Sequence, residues 1–89
     1  MVVREFEWDE NNRWKPLRHG VLPEEAEEVF FNAPHIRRTR SGRYIAYGVT
    51  DEGRYLMVVF VVKPHGAVRP VTARDMMDDE RVLYRRHSE

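Results

Sequence analysis

Seven side chains in this sequence could between them handle a phosphodiester: Arg18, His19, Lys63, Arg69, Arg74, Arg81 and Tyr84. Cutting RNA without a metal asks for little. The ribose 2′-hydroxyl attacks the adjacent phosphorus, a base takes its proton, and an acid protonates the leaving 5′-oxygen. Cations hold the phosphoryl oxygens as charge builds on them. Arginine suits that task because its planar fork grips two oxygens at once. Histidine titrates in the range that an acid or base needs. Each residue also has a plainer reading. His19 precedes Gly20 at an expected helix end, where a cation favours the dipole. Arg74 could pair with Asp75 or with an acid of the last helix, and Arg81 could be a solvated charge. Tyr84 sits at core spacing. Trp8 could stack a base but is more often a core anchor.

Other chemistries lack their residues. There is no cysteine, hence no disulfide, thiolate nucleophile or cysteine-ligated zinc. No glycine-rich phosphate loop occurs. His19, His35, His65 and His87 show no close metal-ligand spacing, and Ser41 and Ser88 lie in no nucleophile elbow, so no metal or other cofactor is expected. The 89 residues make one domain, 1–89, with a thin core. Fifteen basic and fifteen acidic residues cancel, which argues against a non-specific grip on nucleic acid. The charge is segregated, however. Glu24, Glu25, Glu27 and Glu28 form an acidic block, and Arg37, Arg38, Arg40 and Arg43 a basic one. Residues 1–5 lack a basic leader, and the longest apolar run, 55–62, is too short for a bilayer. A cytoplasmic protein with no membrane contact is the expectation.

These side chains must be positioned by a small set of elements. Residues 2–8 alternate and predict a strand. Asp9 is a suitable N-cap for a helix that runs toward His19 and stops at Gly20. Pro16 interrupts it, so a kink or two short pieces is expected, with Trp14 and Leu17 facing the core. Pro23 opens a second helix with Leu22, Ala26, Val29 and Phe30 as its apolar stripe. Residues 35–42 read as a basic, mobile connector. Strands follow at 43–49, 55–63 and 67–73, the second almost continuously apolar and therefore central. Pro70 cannot donate to a ladder and puts the last strand at an edge or on a bulge. Residues 76–86 form a closing helix, with Met76, Leu83 and Tyr84 on one face. The order is β-α-α-β-β-β-α, an α+β fold with a four-stranded antiparallel sheet and helices packed on one face.

Two sets of short patterns sharpen the reading. One is Phe6-Glu7-Trp8-Asp9-Glu10, then Arg18-His19-Gly20-Val21 and Glu24-Glu25-Ala26. The other is Gly53-Arg54, then Arg69-Pro70-Val71-Thr72-Ala73-Arg74, Glu80-Arg81 and Tyr84. In their order and spacing they resemble the BrnT family of bacterial type II toxins. The resemblance implies a RelE-like ribonuclease that needs no metal, and a cognate ribbon-helix-helix antitoxin that neutralises it. By matching position it implies His19, Arg18, Arg74 and Lys63 as catalytic, and Trp8, Arg69, Arg81 and Tyr84 as RNA-binding. Three features depart from the family pattern. Pro16 lies in the first helix, Pro70 replaces a branched residue, and Met77 stands where a small hydroxyl cap would complete a capping box with Glu80. These departures leave room for a second reading, a toxin fold that binds protein or nucleic acid without cutting. The edge strand and the apolar residues around Phe30 and Phe31 would allow a homodimer.

Overall fold

The computed structural model describes residues 2–88. Its centre is β3 (Tyr55–Val62), the continuous apolar run. Successive side chains of a strand point to opposite sides, so Leu56, Val58 and Phe60 enter one core and Met57 another. β2 (Tyr44–Val49) and β4 (Val68–Asp75) flank it, and β1 (His35–Arg38) pairs with β2. All neighbours are antiparallel, in the order β1-β2-β3-β4. The α+β class and the four-stranded antiparallel sheet are those the sequence predicts.

The outer strands differ from expectation at both edges. Residues 35–38, read as connector, form β1, because Thr39, Ser41 and Gly42 close a hairpin onto β2. The Thr39 N–H donates to the Arg43 carbonyl at 2.8 Å, and Gly42 takes a left-handed φ of 81°. Basic side chains conceal this strand, since its pairing is tertiary rather than a matter of propensity. At the other edge, residues 2–8 make only one bridge, between Phe6 and Val68, and it is parallel. The Val68 N–H donates to Glu5 and the Glu7 N–H to Val68, at 2.9 and 2.8 Å. The next donor along β4 would be the nitrogen of Pro70, which has no hydrogen. Asn12 takes over: its Nδ2 donates to the carbonyls of Glu7 and Pro70 at 3.0 and 2.8 Å. Pro70 thus ends the ladder at an edge, and the register slips beside it, leaving Val71 as the extra residue.

The helices also divide differently. α1 (Trp14–Arg18) lies along β4, and α2 (Pro23–Phe31) packs on the sheet through Ala26, Val29 and Phe30. α3 (Asp78–Ser88) lies on the opposite face, where Tyr84 and Met76 meet Tyr47 and Met57. The helices therefore cover both faces rather than one, because β2 and β3 are apolar on both sides. Pro16 causes no kink. α1 starts only at Trp14, so Pro16 falls in the first turn, where an N–H would have no helical partner. The buried residue of this helix is Pro16 itself; Trp14 and Leu17 are 46% and 45% exposed, contrary to the expected core role. Glu25 reaches back to the Leu22 N–H at 3.0 Å and Glu80 to the Met77 N–H at 2.8 Å. Half of each capping box is thus present without a hydroxyl at the cap.

Gly48 is where α2 comes closest to the sheet. A Cβ there would lie 2.9 Å from Val29 Cγ1 and 3.4 Å from the Val29 carbonyl oxygen. Valine is stiff at χ1 and cannot swing aside. Gly48→Ala should therefore destabilise the fold by about 1–3 kcal/mol in urea unfolding. Adding Val29→Ala should recover part of that loss, and strict additivity of the two would refute the steric account.

Candidate nucleic-acid interface

The face that carries α3 is only partly covered. α3 begins beside Arg74, where Glu80 accepts from Nη1 and Nη2 at 2.8 and 3.1 Å. It ends over β1, where the His87 ring stacks on His35 at 3.9 Å between centroids. Burial, the neighbouring His87 and Arg37 push the His35 pKa below its ordinary value. The part of the face beyond the helix holds Ile45, Val59 and Thr72, all half-buried. It runs into a cleft of about 300 Å³ lined by Asn11, Asn12, Lys15, Arg43, Val61, Lys63, Arg69, Pro70 and Val71. Four cations line it and no carboxylate does.

The eight residues implicated from sequence fall into separate places. Lys63 and Arg69 meet in the cleft. Arg74, Arg81 and Tyr84 gather at the α3 end of the same face. Tyr84 is buried, with its ring edge-on to Tyr55 at 6.0 Å, and burial raises its pKa. Trp8 belongs to the α2 side: it packs against that core and donates Nε1 to Glu27 at 2.8 Å. Arg18 and His19 are exposed at the end of α1. Arg18 lies over the Trp14 ring at 5.2 Å, and the His19 N–H donates to the Pro16 carbonyl. No hydrogen bond or ion pair among the described residues joins these two side chains to Arg69 or Arg74. The structure supplies two cationic clusters on one face, and not one pocket gathering all four.

Reasoning from sequence passed over Lys15, Tyr55 and the role of Arg54. Lys15 and Arg43 join Lys63 in the cleft only because α1 lies along β4 and β2 begins beside it, juxtapositions that no spacing records. Arg54 looks like a site residue but is a brace. Its guanidinium donates to the Gly20 carbonyl at 2.8 Å, to Glu25 at 3.2 and 3.3 Å, and to Asp75 at 2.8 and 3.1 Å. Asp75 beside it keeps the Arg54 pKa above its ordinary value, and Arg54 in turn lowers that of Asp75. Among the described residues, ion pairs form only at Arg54, Arg69 and Arg74. Lys15, Arg37, Arg43, Lys63, Arg81 and Arg85 make none.

The segment that the family of BrnT ribonuclease toxins of type II toxin–antitoxin systems matches runs from residue 8 to residue 80. The chain belongs to the BrnT family. No curated protein sequence matches it. Membership makes the chain a ribonuclease toxin by descent, with RNA as the substrate class and an antitoxin as partner. The matched segment includes Trp8, Arg18, His19, Lys63, Arg69 and Arg74, and stops short of Arg81 and Tyr84. No described helix is long and apolar enough to cross a membrane.

Arg69 closes the cleft from the N-terminal side. It donates to Glu7 at 2.9 Å and to both oxygens of Asp9 at 2.8 and 3.1 Å. The Arg69 hydrogen bond holds the Asp9 carboxyl well below its usual range, at about 2. A depressed carboxylate binds fewer protons in the fold than in the unfolded chain. Its stabilisation is therefore complete above the unfolded value of 3.8 and is lost as pH falls through about 2. Asp9→Asn should flatten the fall in urea midpoint between pH 4 and pH 2 and lower the midpoint at pH 7. A pH profile identical to wild type would show that the pair contributes nothing.

Proposed function

We propose that this BrnT-family chain is a metal-independent endoribonuclease that draws single-stranded RNA across the open face beside α3, and that a ribbon-helix-helix antitoxin holds it inactive. The observation that carries the reading is the acid-free cleft of Lys15, Arg43, Lys63 and Arg69. Lys15, Arg43 and Lys63 line it without carboxylate partners and suit a phosphate backbone, which each can contact with the release of a counterion, while Arg69 is held there by Glu7 and Asp9. In a metal-free reaction the phosphoryl oxygens rest on guanidinium and ammonium groups, as the growing negative charge demands. The 2′-oxygen closes a cyclic phosphate as the 5′-oxygen leaves, so one proton must be taken and one given. His19, His35, His87 and Tyr55 are exposed or half-buried groups that could exchange it.

A second reading has its own observation. Arg69 and Arg74, two of the implicated phosphate ligands, are occupied by Glu7, Asp9 and Glu80. A chain with those forks filled could keep the fold and bind without cutting. The two readings separate in one assay: purified chain and unstructured RNA in excess EDTA. Cleavage by wild type, reduced at least tenfold in Lys63→Ala plus Arg43→Ala and strongly reduced in His19→Ala or Arg74→Ala, is expected. Absence of wild-type cleavage with retained binding would favour the second reading. Cleavage that stops on addition of EDTA would remove metal independence.

A further inference from the structure

The end of the face opposite the cleft holds an arrangement that neither the fold nor the family match explains. Arg81 and Arg85 stand four residues apart on α3, and both guanidinium groups lie over one ring, that of Tyr55, at 4.3 and 5.5 Å from its centroid. Like charges at this spacing repel weakly on a helix. A cation over an aromatic ring gains more at an exposed site than such a pair loses, so two contacts outweigh the repulsion. The ring therefore holds the two guanidinium groups together without a counter-carboxylate. Neither forms an ion pair with a described residue. Each guanidinium carries five N–H donors, more than one ring and its hydroxyl can engage, and the donors left over can grip an anion. Arg85 first, then Arg81, holds the Tyr55 phenol below its ordinary pKa, as two cations beside one hydroxyl should.

We infer that Tyr55, Arg81 and Arg85 form a phosphate-binding subsite for single-stranded RNA at the α3 end of the open face. RNA is favoured over an acidic protein segment by the geometry of the face. Tyr55 and Val61 lie on the same side of β3, six residues apart, so the subsite and the cleft are separated by roughly 20 Å of sheet. An extended polyanion bridges such a gap with its evenly spaced charges. Along β3 the ground between them carries Met57 and Val59, with Ile45 and Thr72 beside Val59, and the carboxylate that borders it, Glu80, is already held by Arg74. The inference rests on the ribonuclease reading for its ligand, yet it concerns binding, and it survives or falls separately from cleavage.

The test measures binding of the full chain to a fluorescent single-stranded oligonucleotide with 2′-deoxy substitution, which cannot be cut, from 50 to 300 mM salt. For single strands each phosphate contact contributes about 0.7 to the slope of log affinity against log salt. Arg81→Ala plus Arg85→Ala should reduce that slope by about 1.4 and weaken binding at least tenfold at the lowest salt. Arg81→Lys plus Arg85→Lys keeps both charges and should restore the slope. Tyr55→Leu should leave the slope in place while weakening binding several-fold, because free guanidinium groups must then be ordered on binding. Unchanged circular dichroism and thermal midpoint establish that the variants fold. A slope and affinity equal to wild type in the double alanine variant would overturn the proposal. So would weakened capture of the cognate antitoxin with RNA binding intact, which would reassign the patch to the protein partner. Loss of EDTA-resistant cleavage alone, with the slope change present, would remove the nuclease reading and leave the subsite standing.

Discussion

Three guanidinium groups carry all the ion pairs among the described residues. Arg54 takes Glu25 and Asp75, Arg69 takes Glu7 and Asp9, and Arg74 takes Glu80. Each pair also fastens a segment that the sheet cannot hold by itself. Arg54 ties the loop after α1 and the first turn of α2 to the ends of β3 and β4. Arg69 ties the N-terminal segment to β4 after Pro70 has ended the ladder. Arg74 ties the start of α3 to the sheet. A chain of 89 residues has too thin a core to fix so many peripheral pieces by apolar burial alone. The forked geometry of arginine accomplishes it with directional bonds. The other acids of the block, Glu24, Glu27 and Glu28, belong to α2 on the other side of the sheet. Zero net charge thus coexists with a cationic face, since neutrality is a property of the whole and recognition is a property of the surface that meets the ligand.

Much of this was legible in the sequence, for identifiable reasons. The unbroken apolar run of β3 announced a strand buried on both sides, and Pro23 with Glu24 and Glu25 announced the start of α2. Pro70 announced an edge and a bulge, and the β4 register shows both. What escaped depended on partners distant in the chain. β1 has basic side chains and gains its identity from β2. The residues before Trp8 alternate like a strand, but whether they pair is decided by a missing hydrogen on Pro70, sixty positions away. The second covered face was implied by β3 yet assigned to no helix, because α3 is mostly charged and Tyr84 is its buried residue, with Val82 half exposed.

The site shows the same division. Residue types and spacing picked out Lys63, Arg69, Arg74 and Arg81 as cations near strand ends, and all four lie on the α3 face. They could not tell an arginine free to bind from one already bound. Arg74 has a structural reading in the sequence, an acid of the last helix, and Glu80 fits it; Arg69 has none, because its carboxylates, Glu7 and Asp9, lie 62 and 60 positions away in the chain. Trp8 follows its plainer reading, as a core anchor with a satisfied N–H. Lys15 and Tyr55 carried no signal, because a lysine in a short helix and a tyrosine at a strand start are ordinary until the fold sets them beside other cations.

The occupied and unoccupied arginines differ in what they can do for a phosphate. A fork already held by carboxylates must exchange one set of charge-assisted bonds for another, so the net gain on binding RNA is the small difference between them. Such a residue can respond late, when the transition state carries more charge than the carboxylate it displaces, and that is where differential stabilisation raises a rate. An unpaired guanidinium pinned on an aromatic ring loses little conformational freedom on binding and meets the ground-state phosphate at once. The face therefore has the makings of a division of labour. Lys15, Arg43 and Lys63 at one end, and Arg81 and Arg85 at the other, are suited to hold the strand. Arg69 and Arg74, each held by its own acids, are suited to the step in which charge accumulates. This ordering follows from which carboxylates the fold has already spent.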